Sequence, residues 1–291
     1  MTAVTDITAT VIADSACGEN NQYRLTTMAL RYPRMIHDEL MTHRVFSRNA
    51  SSARAVPVAK MIEEVLTNPA VPMFWSKNQK GMASDNENYR GEIEYLDSPE
   101  TAWLAARNDA VMWARKFDKA GYHKQVANRL LIPFMHINVI VSSTTWENWD
   151  RLRIHPAAEP HIRHLAIVMR EARCESTPES KREGNWHLPY ITADELAYGH
   201  PWHELARVSS ARCARVSYKT FENKQPNFEA DLEMFKRNLV SDDPEQPPHA
   251  SPCEHPAMSD PSANSTDKWG NFQGFAQYRK FIPNESGVTH A

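Results

Sequence analysis

The stretch from Phe134 to Thr145 constrains the fold more than any other. Its density of β-branched residues calls for a strand. Pro133 closes the short helical run that begins at His123, and Trp146 to Arg153 turns helical on the far side. A second strand is read over Tyr23–Tyr32, again aromatic and β-branched. Pro33 opens a helix over Met35–Met41 that delivers His43 and Arg44 at its end, and Pro57 opens another that stops near Asn68-Pro69. Ser98-Pro99-Glu100 is an N-cap followed by proline, and Gly121 stands where a C-cap glycine belongs. Between them Trp103, Leu104, Ala106, Val111, Met112 and Phe117 recur at helical spacing and are read as core.

Ile162, Leu165, Ala166 and Met169 stripe a helix over 158–175. Two more helices follow. One runs from Trp202 to Val216 through Leu205, Val208 and Cys213. The other starts at an Asn227 cap and carries Phe228, Leu232, Phe235 and Leu239. Residues 1–22 show little pattern, while 72–97, 176–201 and 241–269 read as loop or connection. Strands set among long helices make the expected class α/β (α+β).

The chain has 291 residues and a formal charge of −3, enough length for a sizeable core and too little positive charge for a nucleic-acid coat or membrane-surface protein. Its four cysteines are scattered without a C-x-x-C pair, so neither a disulfide framework nor a structural zinc site is expected. With no signal pattern and no long apolar run, a soluble cytoplasmic protein is expected. The thirteen histidines are dispersed, and His161 and His164 lie on a helix with a surface pattern and no carboxylate in register, so no metal site is expected. Dinucleotide-fingerprint, P-loop, nucleophile-elbow and H-E-x-x-H motifs are absent.

Against this acidic background, Thr42-His43-Arg44-Val45-Phe46-Ser47-Arg48-Asn49-Ala50-Ser51-Ser52-Ala53-Arg54 stands out, with no acid from Leu40 through Ile62. Guanidinium forks, hydroxyls and backbone N–H groups suit phosphate oxygens. Read alone, such a segment is more often a solvated basic loop.

The spacing His43-Arg44, Ser47, Asn49, Ser52, Arg54 resembles the signature of the flavin-dependent thymidylate synthases, with Tyr32-Pro33 and Glu39 upstream as in that family. Trp146, Trp149, Arg153, Ala158, Ile162 and Arg163 resemble its catalytic-arginine helix, and Arg129 before Pro133 its phosphate-binding arginine. Ala214-Arg215-Val216-Ser217-Tyr218 and His249-Ala250-Ser251-Pro252-Cys253-Glu254-His255 resemble the family's N-terminal region, here placed last, as in a circular permutation. The resemblance covers roughly 23–57, 122–172 and 210–256.

The resemblance implies one domain over 1–291 with a mixed sheet, long flanking helices and permuted order: a core over 23–175, a permuted segment over 202–256 and a tail over 257–291. It implies reductive methylation of dUMP to dTMP, with FAD as cofactor and NADPH and 5,10-methylenetetrahydrofolate as cosubstrates. Arg153 would be catalytic, stabilising charge on the uracil edge. Glu39, Ser52, Arg54, Arg129 and Arg153 would bind dUMP. His43, Arg44, Asn49, Asn148, Ser217, His249 and Ser251 would line FAD, contributed by several subunits of a homotetramer. No metal, nucleic acid or membrane partner is implied.

Departures from the family pattern are Thr42 for the first arginine of the triplet, Ala50 for a glutamate, Ser142 and Thr144 for flavin-contacting Asn and Arg, and Ala157 for a histidine. Arg48, Arg279 or Lys280 are the candidates to compensate. Competing readings are another C5 modification such as hydroxymethylation, and a nucleotide- or flavin-binding protein without catalysis. A nucleic-acid-binding module ranks below both.

Overall fold

A computed structural model describes residues 6–81, 88–216, 227–240, 249–263 and 267–283. Strands β1 (Thr8–Cys17) and β2 (Tyr23–Pro33) form an antiparallel pair. In their connection Gly18, Asn20 and Asn21 take φ of 83°, 55° and 57°, a region that glycine and asparagine enter most easily. Strand β3 (Ser47–Ala50) pairs with β4 (His136–Ser143), which in turn pairs antiparallel with β2. The short β5 (Glu179–Ser180) runs parallel to β1, giving a mixed sheet of order β3-β4-β2-β1-β5. A second, three-stranded sheet pairs β6 (Trp186–His187), β7 (Ala257–Ser259) and β8 (Phe275–Gln277).

The helices are α1 (His37–Met41), α2 (Val58–Thr67), α3 (Pro99–Lys119), α4 (Lys124–Ala127), α5 (Glu147–Arg153), α6 (Pro160–Glu175), α7 (Ala193–Tyr198), α8 (Trp202–Ala214) and α9 (Phe228–Asn238). Ser98 caps α3 by accepting from Thr101 N, and Asn227 caps α9 by accepting from Ala230 N. Each such cap contributes about 1 kcal/mol.

The period of two along a strand divides the main sheet chemically. One face carries Met28, Leu30 and Tyr32 from β2 with Ile137, Val139 and Val141 from β4, and α6 covers it with Ile162, Leu165, Ala166 and Met169. Trp146 and Trp149 close this core, at 6% and 1% exposure. Fully burying side chains of this size contributes roughly 1.5–3 kcal/mol each.

The other face carries Thr27 and Ser142, paired across β2 and β4. There a polar ladder links the two sheets. His187 Nδ1 meets Ser15 Oγ at 2.9 Å and its Nε2 meets Thr27 Oγ1 at 2.8 Å. Thr27 Oγ1 meets Ser142 Oγ at 2.6 Å, and Ser142 Oγ meets His255 Nδ1 at 2.8 Å. Burial drives both imidazoles to a pKa of about 3, so they are neutral.

Several sequence expectations change. Residues 1–22 contain β1; its small and acidic residues hide a strand that pairs with β2 along its length and packs Ala9 and Val11 against the core. The 176–201 connection contains β5, β6 and α7, the last closed by a capping box between Thr192 and Glu195. The 241–269 loop contains a 3-10 turn at Ser251–Glu254 and β7. Pro133 lies inside a 3-10 run, Asn128–Phe134, and does not end it, because a 3-10 turn tolerates the lost donor. Met112 is 40% exposed, since α3 turns Val111 and Ala114 inward against α2.

His161 is buried and its Nδ1 lies 2.5 Å from Glu159 Oε1, the helix N-cap, two residues earlier. The sequence pattern had placed it on a surface with no carboxylate at hand. Trp202–Val216 is helical to Ala214, and Ser217 and Tyr218 lie outside the described residues. Among the described residues no helix is long and apolar enough to cross a membrane, and no cluster of three or more metal-ligating side chains occurs.

Candidate anion-binding cleft and the arginine hollow

Between α1, β3 and the turn that carries Ser251 opens a cleft of about 530 Å³. Ligand sites commonly have volumes in this range. Asn49 enters it from β3, Ser52 and Arg54 from the segment that follows, and His249 and Ser251 from far along the sequence. Sequence reading did not assign His37, Met41, Ala55 and Gln125, which line it as well. A signal existed for the first two, since positions four apart on a helix share a face. Among the described residues no acid lines it, and two guanidiniums, Arg48 and Arg54, do.

Arg48 is braced from behind: its Nη1 donates to the carbonyls of Leu40, Met41 and His43 at the end of α1, the nearest at 3.0 Å. A cation there complements the orphaned carbonyls of a helix C-terminus. Burial lowers its pKa, and Glu254 opposes that. Asn49 is buried and its Nδ2 donates to Cys213 O at 2.8 Å, tying β3 to α8. His37 is half-buried, with Nδ1 2.8 Å from the Tyr32 hydroxyl.

Arg153 faces a different hollow, about 550 Å³, lined also by Arg151, Leu152, His155, Ala157 and Ala158. Its Nε donates to His43 Nε2 at 3.1 Å, Nη1 to Glu39 Oε2 at 3.1 Å, and Nη2 to Thr42 Oγ1 at 3.1 Å. Thr42 Oγ1 in turn donates to Glu39 O at 2.7 Å. Because His43 Nε2 accepts, that nitrogen is unprotonated, and burial followed by Arg153 lowers the ring's pKa. Glu39 is raised by burial and then by Glu159, with Arg153 opposing.

The remaining assigned residues stand apart from both clusters. Arg129 is exposed on the 3-10 run, one turn beyond Gln125, and is not among the cleft's lining residues. Arg44 and Asn148 are exposed. Ser142 is fully buried in the ladder, and Thr144 Oγ1 accepts from Gln273 N at 3.0 Å. Arg279 pairs with Glu254 at 2.5 Å. One chain therefore gathers Asn49, Ser52, Arg54, His249 and Ser251 in the cleft, and Glu39, His43 and Arg153 in a second cluster.

No protein-family model and no curated protein matches the chain. Two crystal structures of the UMP/dUMP methylase PolB from Streptomyces cacaoi are similar to it. The one bound with 5-Br dUMP has 17% identity, covers 59% of this chain and 91% of its own, and gives a TM-score of 0.43. The one bound with 5-Br UMP has 18% identity, covers 59% and 90%, and gives 0.45. At these values the similarity stands as a similarity alone.

Proposed function

We propose that the chain is a cytoplasmic pyrimidine-nucleotide enzyme of the flavin-dependent thymidylate synthase type, in permuted order, converting dUMP to dTMP. One observation carries this reading: two motif segments far apart in the chain, 49–54 and 249–251, line the same cleft, which has no acid among its described lining residues. A solvated basic loop has no reason to draw a second distant segment onto itself.

Ser52 and Arg54 would hold the dUMP phosphate, with Arg129 reaching it from a neighbouring copy. Arg153 would lie along the uracil edge and stabilise the negative charge that makes C5 nucleophilic. Glu39 and neutral His43 hold its guanidinium in one orientation. Since Arg54 and Arg153 face separate hollows of one chain, the complete site would be assembled between copies, as in a homotetramer.

The residues fit the anionic part of FAD. Asn49, Ser251, His249 and Arg48 offer donors to a diphosphate, and no carboxylate opposes it. No Phe, Tyr or Trp lines the cleft, so Arg44 and Asn148 would meet the ring system from another copy. Bound flavin, reduced by NADPH, would supply the reducing equivalents, and 5,10-methylenetetrahydrofolate the carbon.

A second reading has its own support. Ser142 and Thr144, which stand where the resemblance puts flavin contacts, have side chains engaged within the protein, Ser142 with His255 in the buried ladder and Thr144 with Gln273 N near the surface. This favours a C5 modification that needs less of the flavin, such as hydroxymethylation, in which water traps the methylene unit.

Purified protein is incubated with 5-tritiated dUMP, methylenetetrahydrofolate, FAD and NADPH. Tritium release demonstrates C5 chemistry, and product mass separates methyl from hydroxymethyl. Arg153→Ala is expected to abolish release while leaving flavin bound. Near-normal turnover in that variant sinks the role given to Arg153.

A further inference from the structure

His37 belongs to none of the motif segments, yet its ring lines the cleft. Its surroundings leave it one state. Tyr32 is fully buried, and its hydroxyl has the His37 Nδ1 as partner at 2.8 Å. Burial pushes the Tyr32 phenol above its ordinary pKa, so the phenol keeps its proton throughout the physiological range. A buried hydroxyl with one partner donates to it, since an unused buried donor costs about 1–3 kcal/mol. The Nδ1 lone pair is thereby consumed.

The ring proton then sits on Nε2. Among the described residues Nε2 makes no hydrogen bond. Groups facing the ring reinforce its neutrality: Arg34 and Arg48 oppose a positive charge, while Asp38 on its own helix favours one, and burial outweighs Asp38. Across the cleft stand Arg54 and His249. The result is a directional N–H donor among cations, with no acceptor of its own.

We propose that His37 is a ligand-binding residue of the cleft, a neutral imidazole whose Nε2–H, aimed by Tyr32, donates to a phosphoryl oxygen held by Arg54. Tyr32 is then a positioning residue that acts through His37. The inference rests on the reading of the cleft as a phosphate site. The phosphoryl group has two sources under that reading, the monophosphate of dUMP and the diphosphate of FAD. A guanidinium supplies charge and a fork, whereas the imidazole adds a third direction and no further charge. That combination favours a tetrahedral oxyanion over a planar carboxylate.

The test measures dissociation constants for dUMP, FAD and inorganic pyrophosphate separately, on the full chain. The proteins are wild type, His37→Leu, His37→Gln, Tyr32→Phe and Arg54→Ala. His37→Leu is expected to weaken one nucleotide about tenfold, as loss of a hydrogen bond to a charged group does. The arm that weakens identifies the source. His37→Gln, whose amide nitrogen falls near the position of Nε2, is expected to recover most of that loss.

A long-range proton–nitrogen spectrum is expected to show a single Nε2–H tautomer in wild type. Tyr32→Phe should give mixed tautomers and a raised His37 pKa, because Nδ1 loses its donor. Unchanged affinity of His37→Leu for all three ligands overturns the inference, as does an Nδ1–H tautomer in wild type. If wild type binds neither nucleotide but binds pyrophosphate, and His37→Leu weakens that, the nucleotide reading fails while the role of His37 stands.

Discussion

Two histidine-bearing polar regions, the ladder between the sheets and the cleft beside β3, differ in how far they are closed off from solvent. In the ladder Ser15, His187, Thr27, Ser142 and His255 are at most 3% exposed and bond to one another in a chain of hydroxyls and imidazoles that leaves His255 Nε2 without a partner among the described residues. In the cleft His37, Arg48, Arg54 and His249 border open space, and Arg54 is exposed. Similar residue types thus serve opposite ends. Closed off from solvent, they join two sheets; open and beside two arginines, they border a cleft. Burial, rather than residue identity, sorts them.

The comparison breaks most visibly under acid. His187 and His255 have pKa values depressed from 6.5 to about 3 in the folded state. Between those values the unfolded chain binds more protons, so stability is fully present above about pH 6.5 and falls as pH drops toward 3. Each shift corresponds to up to about 5 kcal/mol, at 1.36 kcal/mol per unit. Lys181 adds to the depression at His187, and Asp14 opposes it. Denaturant midpoints measured at pH 8 and pH 4 should separate widely; equal midpoints would show that these rings are not buried and neutral.

Ser142→Ala cuts the ladder at its middle, leaving His255 Nδ1 without a partner and Thr27 with His187 alone. A loss of about 2–4 kcal/mol in unfolding free energy is expected, read by urea denaturation. Affinity for dUMP should not move.

Arg54→Ala should do the reverse. Loss of a charge-assisted contact weakens dUMP binding by about 1.5–3 kcal/mol, tenfold or more, by calorimetry. Stability should stay within about 0.5 kcal/mol, as for other exposed substitutions. A variant that melts early instead would place Arg54 among the structural arginines.

The smallest effect is expected at the ladder's end. Ser15→Ala removes one link to His187 and should cost about 1 kcal/mol in the same urea measurement. A cost equal to that of Ser142→Ala would mean that the ladder responds as one unit.

Much of the architecture was legible because local chemistry and burial agree there. The β-branched run over 134–145 is β4, Ser98-Pro99 starts α3, Asn227 caps α9, and the stripe of Ile162, Leu165, Ala166 and Met169 faces the core. Strand β1 was illegible because its sequence, TATVIADSAC, depends on ladder hydrogen bonds to β2 and lacks a continuous apolar face. His161 misled for a related reason: its carboxylate partner is a helix cap two residues away, outside the spacing that helical patterns test.

The candidate site divides in the same way. The concentration of Arg, Ser and Asn over 42–54 is visible in the sequence, since charge and donor type are local properties, but read alone it fits a solvated basic loop as well as an anion site. Which members share a hollow is not local. Arg54 and His249 meet in the cleft while Arg153 turns to Glu39 and His43, because the strand order β3-β4-β2 and the packing of α5 decide where each side chain emerges. His37 shows the limit most plainly. The sequence determined that a histidine follows one turn after Tyr32, but only the fold buried that phenol beside Nδ1 and so chose which nitrogen carries the proton.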